Sequence, residues 1–223
     1  MGDVDEDVKG RGPTPRAYDA SSRRESARAN RRAVVDSARD LLEERGLAAT
    51  TIAEVARRAG VSPESVYKGF GSKAGVVKAV FDVAIAGDDD PVPVADRPEV
   101  QRIRDEPDLR AKIRLYAEGA AERAGRAARL QLALRDGAAA DPAVEELWRT
   151  VQAERLAGTT GVARHLVDTG RLRAGAGVEE VRDVLWTCLS VEVYDLLVLQ
   201  RGWTREAYAD WLTRTLVAFV TDA

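Results

Sequence analysis

Apolar residues recur every three or four positions along most of this 223-residue chain, and no stretch alternates apolar and polar in twos for long enough to make a strand. A sheet is thereby excluded, and the expected class is all-α with about nine helices. Val34, Ala38, Leu41 and Leu42 mark a first helix that opens at Ser22-Arg-Arg-Glu25, which has the spacing of a capping box, and stops at Gly46. Thr51-Ile-Ala-Glu54 repeats the capping pattern for a short second helix, whose stripe of Ile52, Val55 and Ala56 ends at Gly60. Ser62-Pro63-Glu64 then sets a cap residue, a proline at the first helical position and an acid suited to the helix dipole. This third helix closes at Gly69. Ser72 caps a fourth, with Val76, Val77, Val80 and Phe81 facing inward, that runs to about Gly87.

Prolines and acids over residues 88–107 break the periodicity, with room for a helical turn or two around Val100 to Arg104. Beyond them Leu109, Ile113, Tyr116 and Ala120 form one stripe, Leu130 and Leu134 mark a shorter helix ending at Gly137, and Asp141-Pro142 begins a long one that reaches Gly170. A helix from about Val178 to Leu199 is apolar almost all round and demands burial on more than one side. The last carries Tyr208, Trp211, Leu212, Leu216 and Phe219. The expected organisation is a flexible tail over residues 1–20, a three-helix domain over 21–70, a connecting helix over 71–87, a linker over 88–107 and a helical domain over 108–223.

Charge divides along the same lines. The net charge of −3 conceals residues 9–80 with 15 Lys/Arg against eight Asp/Glu, preceded by four acids in residues 1–8 and followed by a net-acidic remainder. A basic N-terminal module on a non-binding body suits a polyanionic partner. Its second and third helices are joined by Ala59-Gly60-Val61-Ser62, the short glycine-containing turn of a helix-turn-helix. An exposed third helix of two turns fits the major groove of B-DNA. Ser65 and Lys68 are placed to meet base edges, while Val66 and Phe70 point into the core. Thr51 and Ser62, at helix N-termini, offer hydroxyls and unpaired N–H groups to phosphate, and Lys73 adds a charge.

The stretch from Ala33 to Phe81 resembles the N-terminal domain of the tetracycline-repressor (TetR/AcrR) family of bacterial transcription regulators. The matching text is Ala38-Arg-Asp-Leu-Leu-Glu-Glu-Arg-Gly-Leu47, Thr50-Thr-Ile-Ala-Glu-Val-Ala-Arg-Arg-Ala-Gly-Val-Ser62 and Ser65-Val-Tyr-Lys-Gly-Phe-Gly-Ser-Lys73. The resemblance places major-groove positions on Pro63, Glu64, Ser65, Tyr67 and Lys68, with Thr51 and Lys73 as phosphate contacts. Gly69 departs from the pattern, standing where the family usually has histidine. The segment Leu197 to Leu212, with Arg201-Gly-Trp203 and Tyr208-Ala-Asp-Trp-Leu212, also looks like the family, which implies that the last two helices of each subunit form a dimeric four-helix bundle. Val191, Tyr194, Trp211, Leu212, Leu216 and Phe219 are the interface candidates. A two-fold partner would also bury the surface that an all-round apolar helix leaves exposed.

The resemblance further implies a small-molecule pocket between head and dimer helices, for which Tyr116, Trp148 and Trp186 are available; packed core is the plainer role for each. The function implied is a repressor released from a pseudo-palindromic operator by an inducer, and the alternative is a helical ligand-sequestering or scaffolding dimer. Arg28 and Arg32, with Arg16, Arg23, Arg24 and Arg31, are either a solvated helix face or an arm against the DNA backbone or minor groove. A lone Cys188 and a lone His165 exclude an internal disulfide and a Cys/His zinc cluster, and neither supports a nucleophilic triad. Asp88 to Asp90 read as solvated linker. No enzyme, metal or cofactor is expected. The longest charge-free runs, residues 46–53, 156–163 and 184–191, are far short of the roughly 18 residues that cross a bilayer, and the acidic start is no secretory signal, so the expected address is the cytoplasm.

Overall fold

A computed structural model describes residues 15–90, 92, 94–170 and 172–221, without the side chains of 15–21 and 95. Among the described residues there are ten α-helices and no strand. Three helices build the head: α1 (Pro15–Ala49), α2 (Ile52–Ala59) and α3 (Pro63–Phe70). α1 starts seven residues before the capping pattern at Ser22, so only residues 1–14 of the expected tail lie outside the described residues. Gly46 breaks it at φ 77°, ψ 173°, and the Thr50 hydroxyl donates to the Gly46 carbonyl 2.8 Å away. The expected caps of the next helices are present: the hydroxyls of Thr51, Ser62 and Ser72 accept from the backbone N–H three residues on. Gly60, in the left-handed region at φ 69°, turns the chain between α2 and α3.

α4 (Lys73–Ala86) belongs to both halves of the molecule. Its Val76, Ala79 and Val80 complete the head core with Val34, Leu41, Val55 and Val66, while Val77 and Phe81 pack on Ala127, Leu134 and Val151 of the C-terminal domain. After α4 come a 3-10 turn (Val94–Asp96) and α5 (Pro98–Asp105), which fills the place allotted to a turn or two of helix.

The C-terminal domain is organised around α6 (Leu109–Ala138), flanked by α7 (Pro142–Thr169) and α10 (Arg205–Val220), with α8 (Val178–Cys188) packed on α7 and α10. Two expectations need correction. The helices expected before and after Ala120 are one unbroken α6 of 30 residues, because alanines at 117, 120, 121, 124, 127 and 128 carry the helix where the large apolar stripe lapses. A Cβ at Gly125 would stand 3.4 Å from the Tyr194 hydroxyl, at about ordinary contact distance. Conversely, the helix expected from Val178 to Leu199 is not continuous. Ser190 accepts from the Val193 N–H and starts a separate α9 (Val191–Tyr194), which runs into a π-helical turn over Asp195–Gln200.

Candidate functional site

Val66 alone anchors α3 by full burial, at 1% exposure, and the opposite face is open to solvent. Pro63, Glu64, Ser65, Tyr67 and Lys68 are all exposed, the Tyr67 ring at 53%, as are Thr51 and Ser62 at the two helix starts and Arg28 and Arg32 on α1. A two-turn helix with a phenol, an ammonium and a hydroxyl on its free face, beside two capped N-termini, is a surface suited to a groove edged by phosphates. The expected contact residues are therefore all exposed on the head, except that Lys73 is only half-exposed.

Internal bonds refine several roles. The Ser65 hydroxyl lies 2.9 Å from that of Ser62, whose oxygen also accepts the Ser65 N–H at 3.1 Å, so reading a base with Ser65 must compete with the cap. The Lys73 ammonium donates to the Leu47 carbonyl at 2.6 Å and thereby pins the start of α4 to the end of α1. Arg31 lies over the Phe70 ring, 4.8 Å from its centre, which accounts for one arginine of the basic stretch. Gly69 has no atom within 4 Å of where a Cβ would stand, so space alone does not exclude the larger residue usual there.

Sequence reasoning missed two clasps that hold α2 against α1. Arg58 donates both terminal nitrogens to Glu44 at 2.9 and 3.0 Å, and Arg45 pairs with Glu54. The bond from Arg58 holds the Glu44 carboxyl below its ordinary range. Partners nine and fourteen positions apart leave no trace in helical periodicity.

Behind the head lies a cavity of about 1320 Å³, walled by α4, α6, α7, α8 and α10. Of the three aromatic candidates only Tyr116 lines it. Trp148 packs instead between the clusters around Leu134 and Tyr208, and Trp186 sits under the Arg155 guanidinium, 4.3 Å from its ring centre. The cavity's polar lining, including Arg123, Gln131 and Arg155, leaves no mark in the sequence, because polar side chains on a helix carry no sign of the face that meets a cavity. At the α5 end, the buried Lys112 ammonium sits 3.0 Å from His165 Nε2 and donates to the Arg104 carbonyl at 3.2 Å. Burial and the Lys112 charge push the imidazole of His165, which also lines the cavity, below its ordinary pKa. Cys188 is a free thiol raised by burial, and its carbonyl accepts from the Tyr208 hydroxyl.

Four of the six interface candidates, Val191, Tyr194, Leu212 and Leu216, are buried within the subunit, between 0 and 5% exposed, and leave no surface for a partner. Trp211 and Phe219 keep partial exposure. In the C-terminal domain the π-helical turn leaves apolar surface open, with Leu196 55% and Leu199 37% exposed, as does Leu156 of α7 at 40%. Among the described residues no helix is long and apolar enough to cross a membrane, and no group of three or more His, Cys, Asp or Glu could hold a metal ion.

Comparisons with known proteins bear on this geometry. The model for bacterial regulatory proteins of the tetR family matches residues 34–80, the segment from mid-α1 to α4. Solved structures resemble nearly the whole chain. A TetR-family transcriptional regulator of Rhodococcus sp. superimposes with a TM-score of 0.67 at 17% identity, covering 86% of this chain and 99% of that one. FadR of Bacillus subtilis, in complex with stearoyl-CoA, gives 0.65 at 17% identity over 84% of this chain and 98% of its own. The SmeT–triclosan complex gives 0.63 at 21% identity over 87% and 93%. Among curated proteins none matches.

Proposed function

We infer that this chain, whose N-terminal domain belongs to the tetR family of bacterial regulatory proteins, is a DNA-binding transcriptional regulator, a repressor that a small molecule releases from its operator. The observation that carries the reading is the double membership of α4. Lys78, Phe81 and Ile85 line the cavity, while Val76, Ala79 and Val80 of the same helix are core of the DNA-reading head. A ligand that prefers one position of α4 must shift the head by as much as it discriminates, and DNA must weaken that ligand by the same factor. The relatives' ligands, stearoyl-CoA in FadR and triclosan in SmeT, are rich in apolar surface, and this cavity has room for a molecule of that kind.

The residues proposed to meet DNA are Pro63, Glu64, Ser65, Tyr67 and Lys68 in the major groove and Thr51, Ser62 and Lys73 at phosphates, with Arg28 and Arg32 extending the basic surface. Residues 21–70 are proposed as the DNA-binding domain, 71–87 as the connecting helix, 88–107 as the linker and 108–223 as the ligand-binding and dimerisation domain. A homodimer through α8, the π-helical turn and α10, with Leu196, Leu199 and Trp211 as contacts, would set two copies of α3 about 34–36 Å apart on a pseudo-palindromic operator. No catalytic step is assigned, and the cytoplasm is the proposed address.

Selection of bound fragments from random duplex DNA tests the reading. A two-fold symmetric site bound specifically by the full chain supports it. Uniform, sequence-blind binding, or none, would leave a ligand-sequestering dimer.

A further inference from the structure

The cavity carries two guanidiniums that no carboxylate bonds among the described residues. Arg123 of α6 lines it, makes no hydrogen bond or ion pair among the described residues, and is held by burial below the usual guanidinium range. Arg155 enters from α7. Its donors go to neutral acceptors, the Trp186 carbonyl and the Gln152 amide oxygen, the latter at 3.0 and 3.2 Å. The carboxylate that most influences it, Glu192, is already bonded to Arg135. Tyr116 stands two helical turns before Arg123 on the same face of α6, and its hydroxyl, also without a hydrogen bond among the described residues, feels both guanidiniums. The buried Gln131 amide, two turns further on, is likewise without a hydrogen bond. The remaining wall around this cluster, among it Ile113, Val151, Leu185 and Leu216, is apolar.

A guanidinium drawn partly out of water without a carboxylate partner is costly unless an anion accompanies it. Of the carboxylates elsewhere on the lining, Asp88 is forked onto Arg97, Asp82 and Glu154 share Lys78, Asp89 faces Arg31, and neither Asp90 nor Asp168 bonds Arg123 or Arg155 among the described residues. We propose that Arg123 and Arg155, with the Tyr116 hydroxyl, receive the carboxylate of an amphiphilic organic acid whose apolar body fills the rest of the cavity. The inference rests on the reading of the cavity as an effector site and names the class of effector.

Calorimetric titration of the full chain with sodium dodecanoate and with 1-dodecanol, in the absence of DNA, tests it. The acid is expected to bind at least about tenfold tighter than the alcohol, as a charge-assisted contact requires. Arg123→Met and Arg155→Met, each checked for fold by circular dichroism, should lose that preference while still binding the alcohol. Equal or tighter binding of the alcohol, no binding of either, an unchanged preference in both variants, or binding of dodecanoyl-CoA without dodecanoate would overturn the proposal. The parent protein's own preference decides should a variant not fold. If dodecanoate binds but leaves the operator occupied, ligand-driven release fails and this assignment stands. If only neutral compounds release the operator, the reverse holds.

Discussion

Arg126 of α6 donates its Nε hydrogen to the carbonyl oxygen of Ala84 at 2.7 Å, and a terminal nitrogen to that of Ile85 at 3.2 Å. The guanidinium thus caps the last turn of α4, where carbonyls lack intrahelical donors and a cation suits the helix dipole. It ties the end of the shared helix to the helix behind the cavity. Arg126→Ala should reduce the ratio of operator dissociation constants with and without effector towards one, while the effector's own affinity for free protein changes little. Gel shifts across an effector series measure the ratio. An unaltered ratio would show that the signal bypasses this bond.

Lys73 has two roles to separate. Its bond to the Leu47 carbonyl predicts that Lys73→Ala lowers unfolding free energy by about 1 kcal/mol, the worth of an ordinary intramolecular hydrogen bond. A phosphate contact predicts in addition that the slope of log affinity against log salt falls by about one unit. Chemical denaturation and salt titration read the two effects independently. Loss of stability with an unchanged slope would assign Lys73 to holding α1 alone.

Gly69 occupies an exposed position inside α3 where an added methyl group meets nothing. Gly69→Ala should stabilise the protein by about 1 kcal/mol through helix propensity, raising the melting temperature by about 2–4 °C. Calorimetry checks it. A drop in melting temperature would show that α3 gains from glycine's freedom.

The pH response of the linker follows from Asp88. Arg97 donates to both its carboxylate oxygens, at 2.6 and 2.8 Å, and holds the carboxyl down at about 2, against an ordinary 3.8. Because the folded value is the lower one, this stabilisation is complete above the ordinary value and is lost as pH falls through the folded one. The difference in melting temperature between the parent and Asp88→Asn should therefore be level from about pH 7 to 5 and shrink from about pH 4 downward. A difference that grows in acid would contradict the clasp.

Much of the head was readable from residue order because its determinants are local. Thr51, Ser62 and Ser72 each cap the backbone three positions ahead, and Gly60 and Gly87 end helices in the left-handed region, so α2 and α4 fall where their signals lie; α3 starts where its signal lies but runs past the expected close at Gly69 to Phe70 and the Gly71 cap. The C-terminal domain obeyed longer-range contacts. Periodicity cannot tell that Tyr194 and Leu212 are consumed by the subunit's own core, nor that Ser190 interrupts an otherwise apolar run. The cavity was legible only at Tyr116, since an arginine on an amphipathic helix looks the same whether it meets water or lines an enclosure.

The unbroken α6 has a mechanical consequence. Thirty residues make a strut about 45 Å long. Ile113, near its first turns, packs among Leu216 and Val220 of α10, whereas Gly137 at its far end abuts Leu47 of the head. With one end held against α10, a tilt of about 5° would sweep the other through roughly 4 Å, enough to carry a reading helix out of register with its groove.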